Sequence, residues 1–498
     1  MSTHSVLVIG GGVAGCSAAL EAQRLGLAVT LVDEHPQAIS MMSLDTPYFY
    51  GSRLAPVLAD TSAIADRVLA SSTLLMECLE AGVEVLTQTC AWGSYRPGPN
   101  SQSTQLPQVG LADAERSWIS TYDSLVLATG ARDVVLSFSG WQLPGVMGAA
   151  GAFALATRYQ ALAATRCVVL GSGALGLQVA QRLLEIGVEV PAIVDVSAAA
   201  RGDPQCCAAL IAAGVQFHLS RVVAEAIGTR EVEGVRLRDL SSGANTEYTI
   251  ACDSVCIAIG LVPNIELVAL TGCALEYRAA HGGWVPRIDQ NQRTNIDAVY
   301  VVGDAAGVDD AMQLDGSLAH RQGQRAAHAI AAAAGFACKD PTAPQTGADR
   351  ASSTAQQGTI DRAREWLRAL VTVGGLDVVA CQCEEVTRRD LLELRPPGYV
   401  RKTTTAPRSQ RTDASSTQPD LIKRLTRAGM GHCQGKRCRE HIALLLAQMH
   451  DLDPASIPCG SFRAPVRPLA LQLLGTGMEA EYEPWPTWFH PLTADEIG

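Results

Sequence analysis

Four cysteines near the C-terminal end of the chain are spaced for metal chemistry. Cys381 and Cys383 form a C-x-C pair, and Cys433 and Cys438 a C-x4-C pair. Each pair runs into a helix signal. Thr387 and Asp390 stand in capping-box order, and an apolar helical pattern opens at Cys438. Helix N-termini directed at the thiolates would stabilise the negative charge of a [2Fe–2S] core and raise its potential. Lys436, Arg437 and Arg439 add positive charge at the same place. Structural zinc is the competing reading, because four thiolates also suit a tetrahedral site, although zinc modules more often use C-x2-C spacing.

Glycines carry the second chemistry. An apolar strand pattern over residues 6–9 leads into Gly10, Gly12 and Gly15 as G-x-G-x-x-G. A helical segment and a further strand follow, the latter closing on Asp33. This is the order of a dinucleotide-binding unit: Gly10 for the turn, Gly12 for approach of the pyrophosphate, Gly15 for helix–strand packing, and Asp33 for the ribose. Thr129-Gly130 and Gly303-Asp304 each end a buried strand at small residues. The three segments converge on one FAD, with Asp304 facing its ribityl and pyrophosphate region. A flavin gives the iron–sulfur reading its use, since a one-electron acceptor is wanted and zinc cannot be one.

A second fingerprint stands at Gly171, Gly173 and Gly176, and the strand after it ends on Asp195. The acid suits NAD better than NADP, although Arg201 lies close by. Such a unit can equally persist without nicotinamide function. Disulfide reductases built on similar domains keep a redox cysteine pair near the flavin ring. Residues 41–51, which fall in that region, contain none. No His/Asp/Ser constellation stands out, so catalytic residues are left unassigned.

The elements that must position these groups alternate strand and helix. The expected fold is α/β, with two nested Rossmann-like dinucleotide-binding domains and a small C-terminal four-cysteine domain. Residues 1–132 and 285–337 form the discontinuous FAD-binding domain, and 133–284 the second Rossmann-like domain. A linker and helix occupy 338–374, a BFD-like [2Fe–2S]-binding domain 375–450, and a tail 451–498. Helices are expected over 16–25, 65–81, 178–186 and 317–334, and strands over 83–86, 188–194 and 254–260. Residues 339–357 read as a linker rich in Pro, Ser, Thr, Ala and Gln, and 396–419 as a flexible polar loop.

At 498 residues the chain exceeds one core, and 47% hydrophobic with 18% charged residues is globular. A net charge of −11 argues against nonspecific nucleic-acid binding. Neither a leader pattern nor a membrane-spanning run is recognisable, and the 15 cysteines do not form a secreted disulfide framework. A cytoplasmic protein is the expectation.

With these residues in view, the chain resembles the FAD- and [2Fe–2S]-binding α subunits of the opine oxidase, hydrogen cyanide synthase and hydroxyproline dehydrogenase group. The resemblance rests on the N-terminal Rossmann unit, 128–132, 140–147 (G-W-Q-L-P-G-V-M), 302–307, 381–386, 425–431 with Cys433 and Cys438, and 464–468. It implies FAD, one [2Fe–2S] cluster on the four cysteines, and a second nucleotide (NAD(P) or ATP) or an FMN at a subunit interface. It also implies an amino-acid-oxidase-like flavoprotein partner, a small ferredoxin-like subunit, and peripheral membrane contact through the complex. The implied role is to pass electrons from oxidation of an amine, opine or imino acid to a downstream acceptor. Two alternatives stand beside it: a self-sufficient NAD(P)H-dependent FAD/[2Fe–2S] reductase, and a scaffold subunit with structural nucleotides. Residues 36–50 depart from the group's Gly-Gly-Gln pattern, and the loop 396–419 is longer than the group's.

Overall fold

The computed structural model describes residues 4–36, 61–96, 106–241, 246–309, 316–336, 358–400 and 417–475. The expectations for residues 41–51 and 339–357, and most of those for 396–419, lie outside these.

The N-terminal unit is a five-stranded parallel sheet. Its order is Val299–Val301, Ser124–Leu127, Ser5–Ile9, Ala28–Val32, Glu84–Leu86. The first strand alternates faces as a strand must. Val6 and Val8 pack under the helices Val13–Arg24 and Ser317–Ala333. Leu7 and Ile9 face the antiparallel sheet Cys90–Tyr95, Gln108–Ala112, Ser117–Thr121. The two helices touch through small residues: a Cβ on Gly323 would lie 2.3 Å from the carbonyl oxygen of Ala14.

The second unit repeats the plan. Its parallel sheet runs Gln216–His218, Ala192–Val194, Cys167–Leu170, Ser254–Ile257, Val146–Gly148. The chain passes between the units twice, through Ala131–Asp133 and Leu261–Pro263, and these crossings pair antiparallel. The nested α/β architecture read from the two fingerprints is therefore present.

Local readings are adjusted at several boundaries. Both fingerprint helices begin earlier than expected, at Val13 and Ala174, because Gly12 and Gly173 already serve as N-caps. The helix expected over 65–81 is two helices, Thr61–Ala70 and Thr73–Glu80. Ser72 divides them, its hydroxyl accepting from Leu75 N at 3.3 Å. The strand expected over 188–194 is confined to Ala192–Val194. Pro191 precedes it and has no N–H to give a ladder.

The C-terminal residues do not stand apart. The helices Thr359–Gly374 and Arg439–Met449 share one core with the second unit, joining Trp366, Leu370, Cys381 and Leu445 to Val168, Leu170 and Trp141. Arg388, fully buried, fastens this junction. Its guanidinium donates to the carbonyls of Gly375 at 2.8 Å, Leu370 at 3.2 Å, and Ser137 across the interface.

Candidate functional site

A cavity of about 600 Å³ lies between the two nucleotide units. Gly10, Gly12, Asp33, Thr129, Gly130 and Asp304 line it, so three segments distant in sequence meet there. The glycines divide by what a side chain would strike. A Cβ on Gly15 would lie 1.8 Å from the Gly10 carbonyl oxygen, and one on Gly10 would lie 2.2 Å from that of Ala128. A Cβ on Gly12 would meet no protein atom within 4 Å. Gly10 and Gly15 are needed by the fold, and Gly12 guards open space at a helix N-terminus, where anions are favoured.

Asp33 accepts from Gly11 N at 2.5 Å and from His35 N at 2.8 Å, one donor to each carboxylate oxygen. Both oxygens keep capacity for ribose hydroxyls. Thr129 is clamped to Asn264 by a reciprocal pair, hydroxyl to carbonyl at 2.8 Å and amide to carbonyl at 2.9 Å. Gly303 sits at φ +67° and donates to Gln322 Oε1 at 2.7 Å, while a Cβ there would lie 2.9 Å from that of Ala14. Burial raises the Asp304 carboxyl to about 6, with the charge of Asp309 adding to the effect.

Four further cavity residues lie outside the glycine fingerprints: His35, Lys436, Val466 and Arg467. His35 Nδ1 meets the Tyr159 hydroxyl at 2.6 Å, and burial, aided by Arg158, lowers its pKa to about 4. Lys436 donates from Nζ to the Val466 carbonyl at 2.5 Å, and Arg467 pairs with Glu34 at 2.9 Å. The segment after residue 451, expected as a tail, thus returns to the cavity. The sole sequence signal for it was the 464–468 stretch of the family resemblance.

Behind Lys436 stands a buried ion network. Arg132 pairs with Glu266 at 3.0 Å and Glu440 at 2.7 Å, and Arg439 with the same two carboxylates at 3.0 and 3.1 Å. Burial pushes the Glu266 carboxyl up, but Arg132, Arg439 and Lys436 outweigh it and hold the group at about 2.

The four cysteines are brought together from two segments. Cys383 Sγ lies 3.8 Å from Cys381 Sγ and 3.8 Å from Cys433 Sγ, and Cys438 contacts Cys381. Contact with Cys383 and then Cys438 favours the thiolate at Cys381, and contact with Cys383 favours it at Cys433. The same contacts raise Cys383 and Cys438. Gly429 N donates to Cys381 Sγ at 3.5 Å, and a Cβ on Gly431 would lie 2.3 Å from Cys383 Sγ. Both expected helix starts are present. Thr387 and Asp390 close a capping box on Arg388–Leu392, and Cys438 is the N-cap of Arg439–Met449. Among the described residues, no group of three or more His, Cys, Asp and Glu side chains is set to hold a metal ion.

At the second fingerprint Gly171 and Gly176 repeat the packing of Gly10 and Gly15. Their added Cβ atoms would lie 2.4 Å from the Ala258 oxygen and 2.0 Å from the Gly171 oxygen. Gly173 matches Gly12 in meeting nothing within 4 Å. Asp195 differs from Asp33, being wholly buried.

Residues 4–333 match the model of the family described as pyridine nucleotide-disulphide oxidoreductase. The chain is 27% identical to an opine oxidase subunit of Agrobacterium tumefaciens (strain Ach5), covering 94% of this chain and 90% of that protein. It is 25% identical to the HcnB subunit of hydrogen cyanide synthase from Pseudomonas aeruginosa, covering 87% and 90%. The alpha subunit of sarcosine oxidase from Rhizobium meliloti (strain 1021) is 27% identical over 98% of this chain and 44% of its own length. Among solved structures, L-proline dehydrogenase from P. horikoshii shares the fold, with a TM-score of 0.61 at 20% identity over 95% of this chain and 80% of that one.

Proposed function

The chain belongs to the pyridine nucleotide-disulphide oxidoreductase family, and from that premise we propose that it is the electron-transferring subunit of a heteromeric enzyme oxidising an amine, an opine or an imino acid. As a member it is an FAD-dependent oxidoreductase, related to opine oxidase, sarcosine oxidase and hydrogen cyanide synthase subunits. The finer reading assigns FAD to the cavity between the units and a [2Fe–2S] cluster to Cys381, Cys383, Cys433 and Cys438. When bound, the flavin accepts an electron pair and releases it singly, and the cluster relays single electrons.

One observation carries the reading. Lys436, inside the Cys433–Cys438 loop, lines the same cavity as Gly12, Asp33, Thr129 and Asp304. The thiol loop thus contributes one residue to the cavity wall. The N-terminus of Val13–Arg24 would hold the pyrophosphate, Asp33 the ribose and Asp304 the ribityl region. Arg132 and Lys436 bring cationic side chains to the cavity lining, and Lys436 does so from within the thiol loop. The support for a cluster is the donor chemistry, four cysteine thiols from two segments with Cys383 3.8 Å from Cys381 and from Cys433, a set that suits iron–sulfur ligation as it suits zinc.

The substrate site is assigned to an amino-acid-oxidase-like partner, and a small ferredoxin-like protein completes the proposed assembly. The relatives bear subunit names, which supports a hetero-oligomer. No described helix is long and apolar enough to cross a membrane, and membrane contact is assigned to the complex, from the cytoplasmic side.

The test is metal and sulfide analysis with electron paramagnetic resonance on anaerobically reduced protein. Iron and sulfide in equal amounts, with a signal from the reduced cluster, are expected. Zinc with neither iron nor signal would end the redox assignment.

A further inference from the structure

The two fingerprint acids of this chain occupy equivalent places and serve as each other's control. Asp33 is half-buried, lines the cavity, and has one backbone donor on each oxygen. Asp195 is 1% exposed and its acceptor capacity is filled. Its Oδ2 accepts from Ser172 N at 2.8 Å and Ser172 Oγ at 2.7 Å. Its Oδ1 accepts from Ser197 N at 2.9 Å and Arg201 Nε at 3.3 Å. Four donors use the lone-pair sites a carboxylate offers.

The same loop lies along the fingerprint itself. Arg201 N donates to Ser172 Oγ at 3.1 Å, and Gly202 N donates to the Ser172 carbonyl at 2.8 Å. The fit leaves no room for a side chain at 202, where a Cβ would lie 2.3 Å from Leu177 Cδ1. The guanidinium is also held from the far side. Glu365, on the helix Thr359–Gly374, pairs with Arg201 NH2. That helix belongs to the C-terminal core, so the second unit is latched by a part of the chain that lies outside it.

We propose that Arg201, latched by Glu365, is a specificity determinant that closes the second nucleotide unit to nicotinamide dinucleotides. A ribose arriving at Gly173 finds the acid that should receive its hydroxyls already bonded. The charge that would attract a 2′-phosphate is neutralised by Asp195 and Glu365, so NADPH gains nothing over NADH. Displacing Arg201 would leave the buried Asp195 carboxylate without its cationic partner, a cost the dinucleotide must offset from its own binding. The helix N-terminus at Gly173 stays open, so the closure acts at the ribose and not at the phosphates. This inference depends on neither the iron–sulfur assignment nor the identity of the partner.

The experiment uses the FAD-loaded full chain, titrated with NADH and with NADPH. Equilibrium dialysis measures binding, and anaerobic flavin bleaching measures hydride transfer. Wild type is expected to bind neither dinucleotide saturably. Arg201→Ala vacates one acceptor site on Oδ1 of Asp195 and should tighten NADH binding by about tenfold or more. Glu365→Gln releases the latch while keeping the arginine, and should shift binding in the same direction by less. Adding Asp195→Asn to Arg201→Ala should abolish the gain. Wild-type protein that binds NADH as tightly as Arg201→Ala would overturn the proposal. So would both single variants showing wild-type flavin spectra and thermal transitions with no gain in binding. A gain that survives Asp195→Asn would overturn the role given to that acid.

Discussion

Arg132 donates from Nε to the backbone carbonyl of Lys436 at 2.9 Å. One residue follows directly on Ala128-Thr129-Gly130-Ala131 at the cavity, and the other sits between Cys433 and Cys438. A single hydrogen bond therefore fastens the thiol loop to the strand crossing between the two nucleotide units. Glu266 and Glu440 bond the same guanidinium, so it is bound on every edge. Arginine suits such a place because its planar fork keeps charge when buried.

Replacing this residue should cost more than an ordinary core change. Arg132→Met leaves the buried Glu266 and the partly buried Glu440 with Arg439 as their remaining ion-pair partner, and a stability loss of about 3 kcal/mol is expected. The pH dependence changes with it. Glu266 titrates at about 2 in the folded chain against an ordinary 4.5, so its stabilisation is present above about 4.5 and lost as pH falls toward 2. Denaturant melts of wild type should weaken across that window. Arg132→Met should flatten the slope, and an unchanged slope would contradict the network's role.

Gly12 and Gly15 should separate cofactor binding from folding. Gly12→Ala adds a methyl that meets no protein atom within 4 Å, so the chain should fold with its wild-type far-ultraviolet spectrum and lose bound flavin. Gly15→Ala drives a methyl to 1.8 Å from a backbone oxygen and should lower stability by about 3 kcal/mol or more through forced backbone movement. Full yellow colour in purified Gly12→Ala would refute the pyrophosphate placement.

Cys433→Ala should remove iron and the visible cluster chromophore while leaving FAD in place. The C-terminal helices share their core with the second unit, so loosening should stay local to 417–438 and register as faster amide exchange there. Retention of full iron and sulfide in the variant would show that the ligand set is different.

Arg467→Ala removes the tie to Glu34 at the cavity edge. The pair is only partly buried, so the expected effect is modest, about three- to tenfold weaker FAD binding with little change in melting. Fluorescence titration of the apoprotein with FAD measures it. Unchanged affinity would mean that the 464–467 segment packs beside the cavity without helping to close it.

Residue order alone disclosed the two parallel sheets, because the G-x-G-x-x-G turns, the apolar runs before them and the acids after them are local patterns with a local cause. Gly15 and Gly176 each answer to the carbonyl oxygen of the glycine five residues before them, and a glycine requirement of that kind is written into the string. The capping box at Thr387 and the N-cap at Cys438 are equally local. What the string could not disclose is pairing across long separations. Arg132 meets Glu440 across 308 positions, and Val466 reaches the first unit's cavity from beyond the thiol loop, with no periodicity to announce either. The equivalence of Asp33 and Asp195 is the sharpest case. Both end a Rossmann strand, and the motif treats them alike. Only the packed chain, with Arg201 and Glu365 folded over one of them, makes one acid an open acceptor and the other a filled one. Hydrogen-bond capacity is finite and is shared out in three dimensions.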